Sequence, residues 1–208
     1  QLRNHLGLPV RFIPQADLPE GSGYEAHIST TGQVPTRDNL HDFFNALAWL
    51  HFPRIKRTLN ALHARSFEEP VRAGTRGRQR DAATLFDENA ALFISSSQQT
   101  LDALREHHWQ QVLCREKHEF DKDCAVMLFG HALLEKLVAP YKSLTAHVWT
   151  VLVEPEWWGK DEDERRADID RRVSESISRG FTSADFCHLP VLGVPGWWPG
   201  QDAAFYED

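Results

Sequence analysis

A chain of 208 residues with 41% hydrophobic and 25% charged side chains lies in the ordinary globular range, which excludes a disordered or fibrous protein and makes a single domain over residues 1–208 the expectation. Its longest apolar runs, at 125–129 and 143–153, fall far short of the roughly 20 residues of a membrane helix, and no signal peptide is visible, so no membrane partner is expected. The formal charge of −7 speaks against nucleic acid as a partner, without closing that option.

Residues 1–36 hold two short extended candidates, 10–13 and 24–30, punctuated by Pro9, Pro14, Pro19, Gly21, Gly23, Gly32 and Pro35, and are expected to form strands and turns. Gln1 in place of an initiator methionine leaves room for a targeting segment upstream. A first helix is expected from Asp38 or Asn39, either of which can cap the free amides of a first turn, to the break at Phe52-Pro53. Its residues Leu40, Phe43, Phe44, Leu47 and Leu50 follow the three-four spacing of a buried stripe. A second helix, about 54–65, would bury Ile55, Leu59 and Leu62.

Beyond a Gly-Arg stretch at 72–78 that reads as mobile, the apolar runs 84–86 and 91–94 flank Asp87-Glu88-Asn89 and predict a β-hairpin over 82–95. Ser95-Ser96-Ser97 can cap a long helix reaching about Glu119. Residues 125–129 are a strand candidate, followed by Gly130-His131 and a helix that ends before Pro140. Residues 143–153 are expected to be extended and 161–179 to be an exposed charged helix. The Trp- and Pro-rich segment 189–208 is too aromatic for a free tail and should wrap back onto the domain.

Cys114, Cys124 and Cys187 form no Cys-x-x-Cys pair and are odd in number, which argues against a disulfide framework or a zinc ribbon. Reduced thiols in a cytoplasmic protein are expected, with no catalytic role. Charge is unevenly placed. From Arg54 to Arg80, eight Lys and Arg residues face only Glu68 and Glu69, a local charge of +6 that leaves −13 for the rest. Such a strip can hold an anionic small molecule such as a phosphate, or be a solvated basic loop.

Three groups of residues have chemical capability. On the first helix Asp38, His41 or Asp42, and Asn45 lie three to four residues apart, and on the second Lys56, Asn60 and His63 do the same. Folded against each other at Phe52-Pro53, these stripes could converge on a groove; the plainer alternative is capping and surface polarity. The second group is Arg80-Asp81 with Asp87-Glu88, where Asp81 and Asp87 are hard oxygen ligands for a divalent ion such as Mg²⁺ and Arg80 suits a phosphate; an ion pair and a turn explain the same letters. The third is Gly130-His131 with Glu135, Lys136, Lys142 and His147, where Glu135 lies one turn from His131 and can orient its imidazole. A buried structural His-Glu pair is the alternative.

Gly-x-Gly-x-x-Gly, a Walker loop, His-Glu-x-x-His and Gly-x-Ser-x-Gly are all missing from the sequence, which removes the simplest dehydrogenase, nucleotidase, zinc protease and α/β-hydrolase assignments. The tryptophans, Trp49 and the tail among them, can stack bases or sugars, but packing accounts for them more simply. The strings at 35–47, with Asp38, His41, Asp42 and Asn45, at 80–88, with Arg80, Asp81 and Asp87, at 129–137, with Gly130, His131 and Glu135, and at 192–199, with Gly196-Trp197-Trp198-Pro199, resemble a bacterial family, domain of unknown function 3025, over nearly the whole chain. The resemblance implies a bacterial protein whose polar strings belong to one domain, and it carries no activity to transfer. The His-Me finger nucleases also place His and Asn near a helix, but their His ends a strand, whereas His41 is expected inside a helix.

The expected fold is α+β, a single domain in which the helical pair and further helices pack on a small, mainly antiparallel sheet. The first functional expectation is a hydrolase or transferase for a phosphate-containing or anionic small substrate. His41 or His131 would be the general base, helped by Asn45; Asp81 and Asp87 would hold a metal or orient groups; Arg80, Lys56 and Lys142, with Asn60 and His63, would bind the substrate. The alternative is a non-catalytic ligand-binding or protein-interaction module. Convergence of His41, Asn45, Asp81 and His131 on one concave pocket, within about 10 Å, decides between them.

Overall fold

The computed structural model describes residues 2–68 and 75–206. It opens with β1 (Arg11–Pro14), α1 (Tyr24–Thr31) and β2 (Gln33–Thr36), and the two strands pair in parallel across the helix. The extended structure expected at 24–30 is therefore replaced by a helix. Gly23 and Gly32 are its boundaries: Gly32 ends it at φ 74°, and a Cβ there would stand 2.5 Å from the Pro9 carbonyl oxygen.

Next come α2 (Leu40–His51) and α3 (Pro53–Glu68), divided at Phe52-Pro53 as the proline requires. The Asn39 side chain caps α2 by accepting the Asp42 N–H at 2.8 Å. The N-terminus of α3 is capped from far along the chain: the Asp170 carboxylate accepts the Arg54 and Ile55 N–H groups at 3.0 and 2.9 Å. Its stripe Ile55, Leu59 and Leu62 is buried. In α2 the orientation is the reverse of the expected one. Leu40, Phe43 and Leu50 are 47%, 54% and 56% exposed, while Asp42, Asn45, Ala48 and Trp49 face inward. A polar face can be buried only where partners satisfy it, and the site supplies them.

α4 (Thr75–Asn89) leads directly into β3 (Ala90–Ser95), so the hairpin predicted over 82–95 is a helix-to-strand junction. Ala82, Ala83 and Phe86 recur at helical spacing and are buried, which makes 84–86 part of a helix face; Asp87-Glu88-Asn89 are its last turn. Arg72 and the side chain of Arg76 from the basic strip lie outside the described residues.

The long helix expected from Ser97 to Glu119 is three pieces, α5 (Gln98–Arg105), α6 (Trp109–Leu113) and α7 (Lys117–Phe120), broken first at His107, whose φ is 61°. Ser97 is the cap of the first piece. β4 (Cys124–Leu128), α8 (His131–Lys136), β5 (Thr145–Leu152), α9 (Glu162–Ile177) and β6 (Cys187–Pro190) complete the order. α9 starts with a capping box between Asp161 and Glu164, and it buries Ile169, Val173 and Ile177 despite its charged sequence.

The sheet runs β4-β3-β5-β6; only β3 and β5 are parallel, so the α+β, mainly antiparallel expectation holds. Every residue of β3 is buried, as its unbroken apolar run demands of a central strand covered on both faces. Leu92 and Ile94 face a core built from α3, α4 and α9, with Phe86, Phe129 and Trp157; Ala91 and Phe93 face a second core under α5, α6 and α7. Trp197 and Tyr206 of the C-terminal segment pack against the second core, and Tyr206 donates its hydroxyl to the Gly193 carbonyl at 2.7 Å. Among the described residues no helix is long and apolar enough to cross a membrane.

Candidate active site

The inward polar face of α2 meets α3, the last turn of α4 and the start of α8 around a cleft of about 480 Å³. α2 contributes His41, Asp42 and Asn45, α4 contributes Asp87 and Glu88, and α8 contributes His131. His131 is placed there by Gly130, which lies against the junction of α4 and β3: Gly130 N–H donates to the Ala90 carbonyl at 2.8 Å, and a Cβ at Gly130 would stand 2.4 Å from the Glu88 carbonyl oxygen. Glycine is required here by close backbone approach, since its φ of −61° is ordinary.

The floor is a buried ionic network. Lys56, 5% exposed, donates from Nζ to Asp87 Oδ1 and Oδ2 at 2.6 and 2.8 Å and to Asn45 Oδ1 at 2.7 Å. Those three partners use all of an ammonium's donors. Asn45 passes the chain on, donating from Nδ2 to the Tyr24 hydroxyl at 3.0 Å. Burial alone would push the Asp87 carboxyl up, but the Lys56 ammonium, with His131 and His63, holds it below its ordinary value, so it is ionised. At the rim Arg37 forks onto Asp42, from Nε to Oδ2 at 3.0 Å and from Nη2 to Oδ1 at 2.9 Å, with its own N–H adding 2.7 Å to Oδ2. These bonds likewise outweigh burial and keep Asp42 below the usual carboxylate range.

Two histidines stand over this floor. The His41 and His131 rings meet edge to face, with centroids 4.4 Å apart. His41 Nδ1–H donates to Glu135 Oε2 at 2.9 Å, because a carboxylate can only accept, and this leaves His41 Nε2 as a proton acceptor. His131 Nδ1 is buried without a hydrogen-bond partner, 3.9 Å from Asp87 Oδ2. Burial lowers the His131 pKa, with Lys56 and His41 adding to the effect and Asp87 opposing it; its imidazole is neutral at neutral pH.

That shift fixes the sign of a pH effect. A histidine whose folded pKa lies below its unfolded value of 6.5 binds fewer protons in the folded state, so its stabilisation is full above pH 6.5 and is lost as pH falls further. Asp87 adds a second loss as pH falls below its unfolded value of 3.8. Urea unfolding across this range should show stability declining from pH 6.5 downward, and His131→Gln should flatten the upper part of the decline. An unchanged slope in that variant would show that His131 is not buried as a neutral ring.

A family model described as "Protein of unknown function (DUF3025)" matches residues 10–208. The chain belongs to that family. No curated protein and no solved structure matches it. The DUF3025 match spans every side chain of the cleft and leaves only the first nine residues outside.

In this DUF3025 chain the residues singled out from sequence divide into two sets. His41, Asn45, His63, Asp87 and His131 line the cleft, and Lys56 and Asn60 lie beneath it. Lys56 is engaged by Asp87 and Asn45, so it cannot serve as the anion binder expected of it. Asn60 Oδ1 accepts the His5 Nδ1–H at 2.8 Å.

Asp81, Arg80 and Lys142 lie off the cleft. Asp81 is 72% exposed on its side chain and meets Arg80 at 3.8 Å, while Lys142 stands 5.1 Å over the Phe205 ring in the C-terminal segment. Asp81 and Asp87 are six residues apart on α4, which turns them about 240° from each other. They cannot share one metal ion, and among the described residues no cluster of three His, Cys, Asp or Glu has a metal-binding arrangement.

Glu135 orients His41 on α2 instead of His131 on its own helix, because His131 turns inward toward Asp87. Tyr24, Glu25 and Arg37 also line the cleft without having been singled out. Reading 24–30 as extended hid the first two; the five-residue spacing of Arg37 and Asp42 across a helix cap was the available signal for the third.

Proposed function

We propose that the cleft is the active site of a hydrolase or group transferase in a bacterial, cytoplasmic protein, with His41 as general base. The observation that carries this is the Glu135–His41 hydrogen bond of 2.9 Å, set edge to face with a neutral, buried His131 inside one cleft. His41 Nε2 takes the proton of a water or substrate hydroxyl, and the Glu135 carboxylate stabilises the imidazolium that forms. His131, 3.9 Å above Asp87, donates a hydrogen bond to charge developing on the substrate. With Arg37 already forked onto Asp42 and Glu25 and Glu88 on the same walls, the cleft disfavours a polyanion. The three free cysteines support a cytoplasmic location.

The test is turnover of a panel of activated small esters that includes p-nitrophenyl phosphate and p-nitrophenyl acetate. General acid–base catalysis contributes about 10²–10⁴-fold, so His41→Ala should lose about that factor in kcat. Glu135→Gln should lose less and shift the acid limb of the pH–rate profile. Turnover that His41→Ala leaves intact would overturn the assignment. A non-catalytic interaction module is favoured by one observation, the exposed Leu40, Phe43 and Leu50 on α2 beside His41. No turnover across the panel would favour that reading.

A further inference from the structure

A second concavity, about 420 Å³, lies on the other side of α3, between the N-terminal loop and the end of α9. Arg57, Ala61 and Arg65 follow one another at four-residue steps along α3, so the two guanidiniums flank a floor of small side chain about 12 Å long. Among the described residues neither arginine has an ion pair or hydrogen bond, and none of those lining the groove is Asp or Glu. In a chain of net charge −7 this is a local reversal of sign, and it belongs to the basic strip legible in the sequence.

The facing wall is preorganised. Asn4 is fully buried; its Nδ2 donates to the Ile28 and Ser29 carbonyls at 2.9 and 2.8 Å, and its Oδ1 accepts the Leu6 and Leu8 N–H groups, both at 3.0 Å. Gly7 closes the turn at φ 79°. His5 is tied to buried Asn60, and Leu6 is held at the tip, 60% exposed. The turn that carries Leu6 is thus fixed beside the two arginines before any ligand arrives.

We propose that this groove binds a phosphate-bearing small molecule of nucleotide size, with Arg57 and Arg65 donating to its phosphate oxygens and Leu6 and Leu62 covering its organic part. Planar guanidinium forks match phosphate oxygens in pairs, and a concavity of this volume suits such a ligand. The site is separate from the cleft: the groove takes the Arg57–Arg65 face of α3, and the cleft takes His63.

Calorimetric titration of the full chain with pyrophosphate and with ADP tests it. Both should bind saturably, and more weakly as salt rises. Arg57→Ala and Arg65→Ala should each raise both dissociation constants about tenfold, as expected for losing a charged hydrogen-bond pair. Leu6→Ser should weaken ADP and leave pyrophosphate unchanged, and His41→Ala should change neither. These side chains are exposed, so an unchanged melting temperature checks the fold of each variant. Absence of saturable binding at millimolar ligand, wild-type binding by the Arg57→Ala/Arg65→Ala double variant, or binding lost in His41→Ala would overturn the proposal.

Discussion

Lys56→Met should lose about 3–5 kcal/mol of folding stability, because it strands an ionised Asp87 in the interior. Lys56 and Asp87 meet at 2.6 and 2.8 Å with both side chains nearly sealed from water. Taking a lone carboxylate out of water has no offset once the ammonium is gone. Urea unfolding of the single variant measures the loss. The double variant Lys56→Met/Asp87→Leu should recover much of it, since two apolar side chains leave no buried charge, and this separates desolvation from lost packing. A single-variant cost below about 1 kcal/mol, the range of exposed pairs, would mean that water reaches the pair.

Gly130→Ala should be among the most damaging changes of one methyl group in the molecule. The added Cβ would lie 2.4 Å from the Glu88 carbonyl oxygen and 2.6 Å from the Asn89 and Ala90 nitrogens. All three atoms are backbone, so no side-chain rotation relieves the clash; either the end of α4 or the start of α8 must move. Overpacking of this kind costs about 1–3 kcal/mol, and a backbone clash belongs at the upper end. The same movement carries His131 away from Asp87, so any turnover dependent on His41 and His131 should fall together with the melting temperature. Gly77→Ala, where nothing lies within 4 Å, is the control and should be neutral or slightly stabilising within its helix. Equal melting temperatures for the two variants would contradict the close approach at Gly130.

The exposed stripe on α2 shows why much of the site could not be read from periodicity. Leu40, Phe43 and Leu50 have the spacing of a buried face, and the argument from spacing assumes that apolar residues decide which side of a helix turns inward. In α2 the polar side turns inward, because Arg37 neutralises Asp42 and Lys56 satisfies Asn45. Those partners arrive from outside the helix, and spacing within the helix cannot reveal them. Asp81 lies off the cleft for a related reason: the hairpin expected over 82–95 put Asp87 at its turn, whereas the helix actually formed there turns Asp81 and Asp87 about 240° from each other.

α3 was legible because its stripe of Ile55, Leu59 and Leu62 and its proline start agree, and β4, β5, α8 and α9 were legible for similar local reasons. The Gly23 and Gly32 boundaries of α1 were visible too, but its β-branched end, Thr30-Thr31, favoured a strand on propensity alone. The sequence by itself determined the break between α2 and α3 at Phe52-Pro53, the buried stripe of α3 and the places of β4, β5, α8 and α9. Only the tertiary structure decided the pairings. Glu135 reaches His41 across 94 residues and Asp87 reaches Lys56 across 31. Caps and periodic stripes depend on neighbours within a turn or two, whereas the charge state of a buried group depends on whichever distant group the fold brings within hydrogen-bond reach.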